Sequence, residues 1–217
     1  MIVNEIFYSI EGEGKRAGQL AVFIRLAGCN ICCSYCDTKY ALKHDQGTEM
    51  SIPEILSKVE ELAGSDLKNV TLTGGEPLIH EHVYDLIDEL TEGGYEVNVE
   101  TNGTILPELD SRYHSLFYTM DYKSLSSGQT DKMNEEAIKN LHSADVLKFV
   151  VSDIKDLLQA VDVVNKYRPE AKIYVSPVFG KIEPKEIVDF MQSWDLHGWT
   201  LQLQLHKLIW SADMRGV

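Results

Sequence analysis

The sequence predicts a single α/β domain built on a mostly parallel β-sheet. From residue 51 onward, apolar segments of strand length alternate with segments of helical periodicity, which is typical of a parallel sheet covered by helices. The chain has 217 residues, the length of one domain, and no repeat or linker-like stretch divides it. We therefore expect residues 1–217 to form one domain with about six such strands, either as an incomplete barrel or as an open doubly wound sheet.

The predicted elements follow one another in a regular order. Two short strands, Val3–Tyr8 and Leu20–Leu26, flank a glycine-rich turn, and a helix over Pro53–Ala63 follows the capping residue Ser51. Later strands are predicted at Asn69–Thr73, Tyr95–Glu100, Leu116–Met120, Val146–Val151, Lys172–Ser176 and Thr200–Leu205. Helices are predicted at His80–Glu92, Asn134–Leu141, Ile154–Tyr167 and Pro184–Ser193.

Polar residues follow four of the predicted strands directly. They form the segments Thr73–Pro77, Glu100–Gly103, Asp121–Lys123 and Ser176–Pro177. In parallel sheets, ligands gather at the carboxyl ends of the strands. The sequence therefore predicts a ligand site at this edge.

The composition excludes several classes of protein. Hydrophobic residues make up 44% of the chain, so it is neither disordered nor of low complexity. Its 20 basic and 34 acidic residues give a formal net charge of −14, which disfavours a broad nucleic-acid-binding surface. No apolar segment approaches the roughly 18 residues of a membrane span, and the N-terminal residues lack a secretory signal. We expect a cytoplasmic protein with a small-molecule ligand and with neither nucleic acid nor membrane as a partner.

All four cysteines lie in one eight-residue stretch, which indicates ligation of an inorganic centre rather than a disulfide framework. Cys29, Cys33 and Cys36 have the spacing C-x3-C-x2-C, which lets three thiolates converge and leaves one position of the centre open. A zinc site built from two C-x2-C pairs is the competing interpretation, but it requires the adjacent Cys32 and Cys33 to face one metal. Four unreactive buried thiols are the remaining alternative.

The segment from Cys29 to Cys36, with Tyr35 before the last cysteine, resembles the signature of radical S-adenosylmethionine (SAM) enzymes. The resemblance implies that Cys29, Cys33 and Cys36 hold a [4Fe–4S] cluster, that SAM binds its fourth iron, and that Cys32 is a spacer. Electron transfer to the sulfonium of SAM then releases a 5′-deoxyadenosyl radical. The Gly74-Gly75-Glu76 segment resembles the one that meets the methionyl amine in these enzymes.

Over essentially the whole chain, the sequence resembles the 7-carboxy-7-deazaguanine synthase family. The segments that carry the resemblance are Glu5–Gly14, Cys36–Thr38, Glu100–Gly103, Ser126–Gly128, Leu203–Lys207 and Arg215–Val217. The resemblance implies a partial (β/α) barrel of the radical SAM type, a homodimer, and contraction of a 6-carboxy-tetrahydropterin ring with SAM and Mg²⁺. The chemistry also implies a flavodoxin-like electron donor.

The same resemblance implies roles for individual residues. The substrate-binding residues would be Ile10, Glu11, Gly12, Glu13, Arg25, Thr73, His206 and the terminal carboxylate of Val217. The cofactor-binding residues would be Tyr35, Gly74, Gly75, Glu76, Asp121, Tyr122, Lys123, Ser176, Pro177, Val178 and Phe179. Thr38 matches the Mg²⁺ ligand. Without the resemblance, His206 would be interpreted as a core residue and Arg25 as a surface or ion-paired one.

The sequence departs from the synthase pattern at two positions. The family usually has Gln or Asn where this chain has Glu11, and Pro-Ser-Ser where it has Leu125-Ser126-Ser127. A carboxylate at residue 11 would repel an acidic pterin and attract the protonated amine of queuine. Queuine lyase, which would release 7-aminomethyl-7-deazaguanine, is therefore the leading hypothesis and the synthase the alternative. Glu11 and His206 are the candidate catalytic acids.

Overall fold

The computed structural model describes residues 1–108, 115–211 and 214–217, and its strands form one sheet. In chain order, the strands are β1 (Ile2–Ile10), β2 (Leu20–Leu26), β3 (Thr48–Glu49), β4 (Asn69–Gly74), β5 (Glu96–Thr101), β6 (Leu116–Tyr122), β7 (Val146–Val151), β8 (Lys172–Pro177) and β9 (Trp199–Leu201). Their spatial order is β3-β1-β2-β4-β5-β6-β7-β8-β9. Strand β1 pairs antiparallel with β2 and β3, and all other neighbours are parallel.

Six α-helices occur among the described residues: α1 (Ile52–Ala63), α2 (Val83–Glu92), α3 (Glu135–Lys139), α4 (Ile154–Tyr167), α5 (Pro184–Ser193) and α6 (Leu205–Ile209). Local signals explain where several begin. Ser51 and Glu54 form a capping box at α1, with Pro53 in the first turn. The Asp153 side chain accepts hydrogen bonds from the amides of Lys155 and Asp156 at the start of α4. None of the described helices combines the length and apolar character needed to cross a bilayer.

The two faces of the sheet have different chemistry because successive side chains of a strand point to opposite sides. In β7, Leu147, Phe149 and Val151 are fully buried in the hydrophobic core together with residues of the helices. Lys148 and Val150, on the other face of the same strand, line a cavity. The core therefore lies between the sheet and the helices, and the opposite face supplies the polar site.

The sheet is open, but contacts across its gap bring the two ends of the chain together. The Gln202 side-chain amide exchanges two hydrogen bonds with the backbone of Gly14, at 2.7 and 2.8 Å. The amide of Leu205 donates to the carbonyl of Gly12 at 3.0 Å. These contacts make the domain a partial barrel, and they decide between the two arrangements that periodicity left open.

The structure corrects the sequence prediction at the edges of the sheet. The described residues form nine strands, of which the two-residue β3 was not predicted. Strand β2 pairs parallel with β4, so the parallel array has seven strands rather than about six. The predicted strand Thr200–Leu205 is wrong in its second half: β9 ends at Leu201, and Leu205 begins α6. His206 therefore lies in a short helix and not at a strand end.

Candidate active site

The cavity on the polar face has a volume of about 280 Å³ and is lined by residues from both ends of the chain. The cysteine loop and the ends of β4, β5 and β6 form one part of its wall. The segment after β1, strand β2 and the segment around α6 form another. The lining includes Ile10, Glu11, Gly12, Glu13, Arg25, Cys29, Cys33, Tyr35, Cys36, Thr38, Thr73, Gly74, Gly75, Glu100, Asp121, Lys123, Lys148, Val178, Phe179, His206 and Val217.

Three of the four cysteines face this cavity. Cys29, Cys33 and Cys36 line it, whereas Cys32 is exposed and is not part of its wall. Burial raises the pKa of all three thiols, that of Cys33 to about 11. As placed, no three Cys, His, Asp or Glu side chains among the described residues could hold a single metal ion. Ligation deprotonates a thiol and would offset this cost, so three cysteines on one cavity wall suit a larger inorganic centre. The arrangement agrees with a three-thiolate cluster site and does not support a four-cysteine zinc site.

Gly74, the last residue of β4, and Gly75 pack against the loop that carries the cysteines, residues 29–36. The amide of Gly75 donates to the carbonyl of Leu26, and that of Glu76 donates to the carbonyl of Gly28. A Cβ atom at Gly75 would lie 2.1 Å from the carbonyl oxygen of Gly28 and 2.7 Å from Cβ of Cys29. Only glycine permits this approach, which places the backbone of residues 74 and 75 at the cavity wall beside the cysteines.

Glu76 occupies a different position from the one expected. Its side chain is fully buried, it does not line the cavity, and both carboxylate oxygens are engaged. One oxygen accepts hydrogen bonds from the amide of Leu78 and the hydroxyl of Thr101, and the other accepts from the amide of Asn102. In this structure Glu76 connects the loops that follow β4 and β5.

The other predicted cofactor residues divide into two groups. Those at the cavity wall are Tyr35, Asp121, Lys123, Val178 and Phe179. Those that do not line it are Tyr122, Ser176 and Pro177. Tyr122 lies on the core face of β6, with its ring centre 5.2 Å from that of Phe149, because side chains alternate along a strand. The hydroxyl of Ser176 is buried without a hydrogen-bond partner among the described residues.

All predicted substrate-binding residues line the cavity, namely Ile10, Glu11, Gly12, Glu13, Arg25, Thr73, His206 and Val217. The Nε atom of Arg25 donates to Glu5 at 2.8 Å, and no described residue accepts from its terminal nitrogens. Burial lowers the pKa of His206 despite the nearby Glu13 carboxylate, so its imidazole is neutral at neutral pH. These groups offer a forked cation and a neutral ring to a bound molecule.

Glu11 does not present a free negative charge to the cavity. Its Oε1 atom lies 2.9 Å from Nη2 of Arg16, and the hydroxyl of Thr71 donates to the same oxygen. Both members of the pair are buried, with 1% and 4% of their side chains exposed. Burial, followed by repulsion from Glu100, raises the pKa of Glu11 to about 7 although Arg16 and Thr71 act in the opposite direction. The carboxylate of Glu11, which was the reason to expect a cationic substrate, is thus paired with Arg16 inside the protein.

The second departure from the synthase pattern lies outside the cavity. Leu125 is 55% exposed and begins a short 3₁₀ turn, Leu125–Ser127, that packs near the start of α4. Ser126 hydrogen-bonds to Asp156 through its amide and its hydroxyl. The Leu125 side chain is therefore in no position to select a ligand.

Sequence reasoning missed two charged residues of the site, Arg16 and Lys148, and placed a third, Glu100, at the ligand edge without giving it a role. Arg16 binds Glu11 together with the carbonyls of Val70 and Glu96, while Glu100 and Lys148 line the cavity. Lys148 could have been found from sequence, because it is the sole charged residue in the apolar strand Val146–Val151. Arg16 carries no such signal, since it lies in a glycine-rich turn where charged residues are usually solvated.

Comparison with known proteins agrees with this geometry. The Radical SAM superfamily model matches residues 23–192. A 7-carboxy-7-deazaguanine synthase of Clostridium acetobutylicum is 46% identical over 220 residues, covering 99% of this chain and 98% of that protein. A second, of Methanospirillum hungatei, is 38% identical over 213 residues and covers 96% and 85%.

Solved structures share the fold. The crystal structure of QueE from Escherichia coli has a TM-score of 0.74 at 24% identity and covers 94% of this chain and 93% of that one. The crystal structure of SuiB from Streptococcus suis has a TM-score of 0.60 at 10% identity, over 83% of this chain and 48% of that one. At such identities the likeness concerns the fold alone.

Proposed function

Since the chain belongs to the radical SAM superfamily and, within it, to the 7-carboxy-7-deazaguanine synthase family, we propose that it contracts the ring of 6-carboxy-5,6,7,8-tetrahydropterin to 7-carboxy-7-deazaguanine. One observation carries this proposal: the 46% identity to a synthase extends over 99% of the chain and so includes both walls of the cavity. Substrate and product differ by the elements of one ammonia, so the reaction needs no net oxidant.

Membership of the superfamily implies a [4Fe–4S] cluster and SAM, and the residues present fit both. Cys29, Cys33 and Cys36 would hold the cluster. The backbone of Gly74 and Gly75, with Tyr35, Asp121, Lys123, Val178 and Phe179, would hold SAM. When bound, the pair supplies the radical that starts the reaction by removing a hydrogen atom from the substrate. The buried hydroxyl of Ser176 is a further donor on the cavity face of β8, beside Val150.

The substrate would bind between β2 and α6. The terminal nitrogens of Arg25 suit the carboxylate of the pterin, because a guanidinium can donate two parallel hydrogen bonds to it. Burial opposes ionisation of Glu13, but Lys148 and then His206 hold its pKa below the ordinary value, so it is an acceptor for ring N–H and amino groups. Ile10, Gly12, Thr73, His206 and Val217 would complete this part of the site.

The synthase replaces queuine lyase as the preferred function. The lyase hypothesis needs an unbalanced carboxylate at residue 11, and Arg16 balances it. It also needs residue 125 near the substrate, and Leu125 is exposed at the surface. Glu11 and His206 both stay candidates for proton transfer: a pKa of about 7 would let Glu11 act as an acid, and a neutral imidazole would let His206 act as a base.

Mg²⁺, an electron donor and a homodimer complete the proposal. Thr38 would bind Mg²⁺ through its hydroxyl, which faces Asp37 at 3.1 Å. Asp37 itself is anionic at neutral pH, because the ammonium group of Lys207, 2.7 Å away, outweighs the partial desolvation of the carboxylate and holds its pKa at about 2. A flavodoxin-like donor would reduce the cluster, and family similarity supports a dimer of identical chains.

Mass spectrometry of reaction products tests the function. Anaerobically reconstituted enzyme is incubated with SAM and a reductant, with the pterin and queuine offered in separate reactions. We expect 7-carboxy-7-deazaguanine and ammonia from the pterin, and no product from queuine. Omission of SAM is the control. Release of 7-aminomethyl-7-deazaguanine from queuine, with no turnover of the pterin, would overturn the proposal.

A further inference from the structure

Lys148 is a buried cation in an otherwise apolar strand. All six residues of β7 are buried, and Lys148 is 6% exposed. Removing an ammonium group from water is costly unless anionic partners compensate for it. A lysine at this position therefore calls for an explanation beyond packing.

Two carboxylates from different parts of the site provide the compensation. The Nζ atom of Lys148 lies 3.3 Å from Oε2 of Glu13 and 3.7 Å from Oδ2 of Asp121. Burial acts to lower the pKa of Lys148, but Glu13, Asp121 and then Glu100 raise it above the ordinary value. The ammonium group thus stays charged, and it links the segment after β1 to the end of β6.

Each carboxylate uses one oxygen on this link and keeps the other free. Oε1 of Glu13 and Oδ1 of Asp121 are buried and have no hydrogen-bond partner among the described residues. Both residues line the cavity. Buried acceptors in proteins are almost always satisfied, so a bound molecule is the natural partner for each oxygen.

The two free oxygens serve different ligands in the proposed reaction. Glu13 lies among the residues proposed to bind the substrate, and Nε2 of Gln204 is 3.4 Å from its Oε2. Asp121 lies among the residues proposed to bind SAM, and Nζ of Lys123 is 3.2 Å from its Oδ2. Lys148 is the described cation that reaches both carboxylates.

We propose that Lys148 is a positioning residue that holds Glu13 and Asp121 at a fixed separation, so that their free oxygens bind substrate and SAM side by side. The proposal rests on the proposed function for the identity of the substrate. It assigns Lys148 no proton transfer and no direct part in the chemistry. Loss of its charge would leave Glu13 without its closest cation and would break the link between Glu13 and Asp121.

The test uses cluster-loaded enzyme and three variants. Lys148→Met removes the charge at similar length, Lys148→Arg retains it, and Lys172→Met makes the same change at an exposed lysine of the neighbouring strand β8. Anaerobic equilibrium dialysis gives the Kd of SAM and of the pterin separately. Iron content and the thermal midpoint report on folding and cluster assembly.

We expect Lys148→Met to raise both Kd values by about tenfold or more, with iron content unchanged. Lys148→Arg should recover most of the affinity for both ligands, and Lys172→Met should bind them like the wild type. A purely structural role would lower the thermal midpoint and leave both Kd values unchanged in the folded protein.

Two results would overturn the inference. If Lys148→Met weakens the binding of one ligand alone, Lys148 does not join the two walls; if it weakens neither, Lys148 has no positioning role. Failure of the proposed function has a different signature, since the wild type would then neither bind nor convert the pterin. In that case the Kd of SAM alone tests the role of Lys148, and an unchanged Kd of SAM in Lys148→Met would reject the positioning role.

Discussion

At the scale of single residues, Arg16 determines what Glu11 can do. We expect Arg16→Met to lower the free energy of unfolding by about 3 kcal/mol, because it removes one member of a buried ion pair. In a Glu11→Gln background the loss should be smaller, since no buried carboxylate is then left without its cation. Urea denaturation of the wild type, both single variants and the double variant measures this difference. Equal losses in the two backgrounds would show that the pair is uncoupled.

The raised pKa of Glu11 predicts a pH dependence of stability. Burial and Glu100 raise the pKa from 4.5 to about 7, so the folded state binds a proton that the unfolded state has already released in this range. The resulting stabilisation is complete below about pH 4.5 and is lost as the pH rises to about 7. The stability of the wild type relative to Glu11→Gln should therefore decline across this interval in urea titrations. A constant difference would contradict the shift.

The cysteines differ in position, and their variants should differ in the same way. Cys33→Ser should abolish reconstitution of a cluster with about four irons per chain, since Cys33 lines the cavity with Cys29 and Cys36. Cys32→Ser is the matched control at the adjacent, exposed residue and should keep full iron and sulfide content. Loss of iron in both variants would contradict a three-cysteine site. Stoichiometric zinc without sulfide in the wild type would reject the cluster altogether.

At the scale of elements, α6 is held against the turn that follows β1. Leu205 hydrogen-bonds to Gly12, and the Nζ atom of Lys207 lies 2.7 Å from Oδ2 of Asp37 in the cysteine loop. The guanidinium of Arg215 lies 3.9 Å from the ring centre of Tyr40. The wall that carries His206 is thus fixed from two sides.

Gly12→Ala tests the importance of this close contact. A Cβ atom at Gly12 would lie 2.2 Å from Nδ1 of His206, so the imidazole must move. We expect the KM for the pterin to rise by about tenfold, because His206 would no longer meet the substrate in place. Gly198→Ala is the control, since a Cβ atom there meets nothing within 4 Å. Equal KM values in the two variants would remove His206 from the substrate site.

At the scale of the whole molecule, the sheet should be most stable at its centre. The core residues Val97 and Val99 of β5 and Leu147 and Phe149 of β7 are fully buried, whereas the edge strands β3 and β9 have two and three residues. Hydrogen exchange measured by mass spectrometry should show strong protection of β4 to β7 and rapid exchange at both edges. Protection of β9 equal to that of β5 would show that the gap of the partial barrel is closed more firmly than its contacts indicate.

Sequence periodicity predicted the centre of the molecule well and its edges poorly. Strand Val146–Val151 and helix Ile154–Tyr167 have the predicted bounds, because their apolar spacing reflects burial on one or two faces. The predicted strand Thr200–Leu205 is too long, because residues 202–205 have a strand-like apolar pattern. In the structure Leu205 begins α6, and its amide donates to the carbonyl of Gly12.

The positions of the thiols and of the glycine backbone in the site could be predicted from sequence motifs. The hydrogen-bond partners of the charged side chains could not. The cysteine spacing and the glycine pair gave the cavity wall. The engagement of Glu76 by three donors and the pairing of Glu11 with Arg16 depend on contacts between distant segments, which spacing alone does not encode. The carboxylates of Glu11 and Glu76 are therefore already engaged by donors within the protein.

The contact between Gly12 and Leu205 also bears on how the protein is made. Synthesis proceeds from the N-terminus, and residues 10–13 leave the ribosome long before their partners around residue 205 exist. The helices and the central strands can fold against each other during translation, but the cavity stays without one wall until the segment around residue 205 has been made. A nascent chain would therefore acquire its hydrophobic core first and its ability to enclose a substrate last.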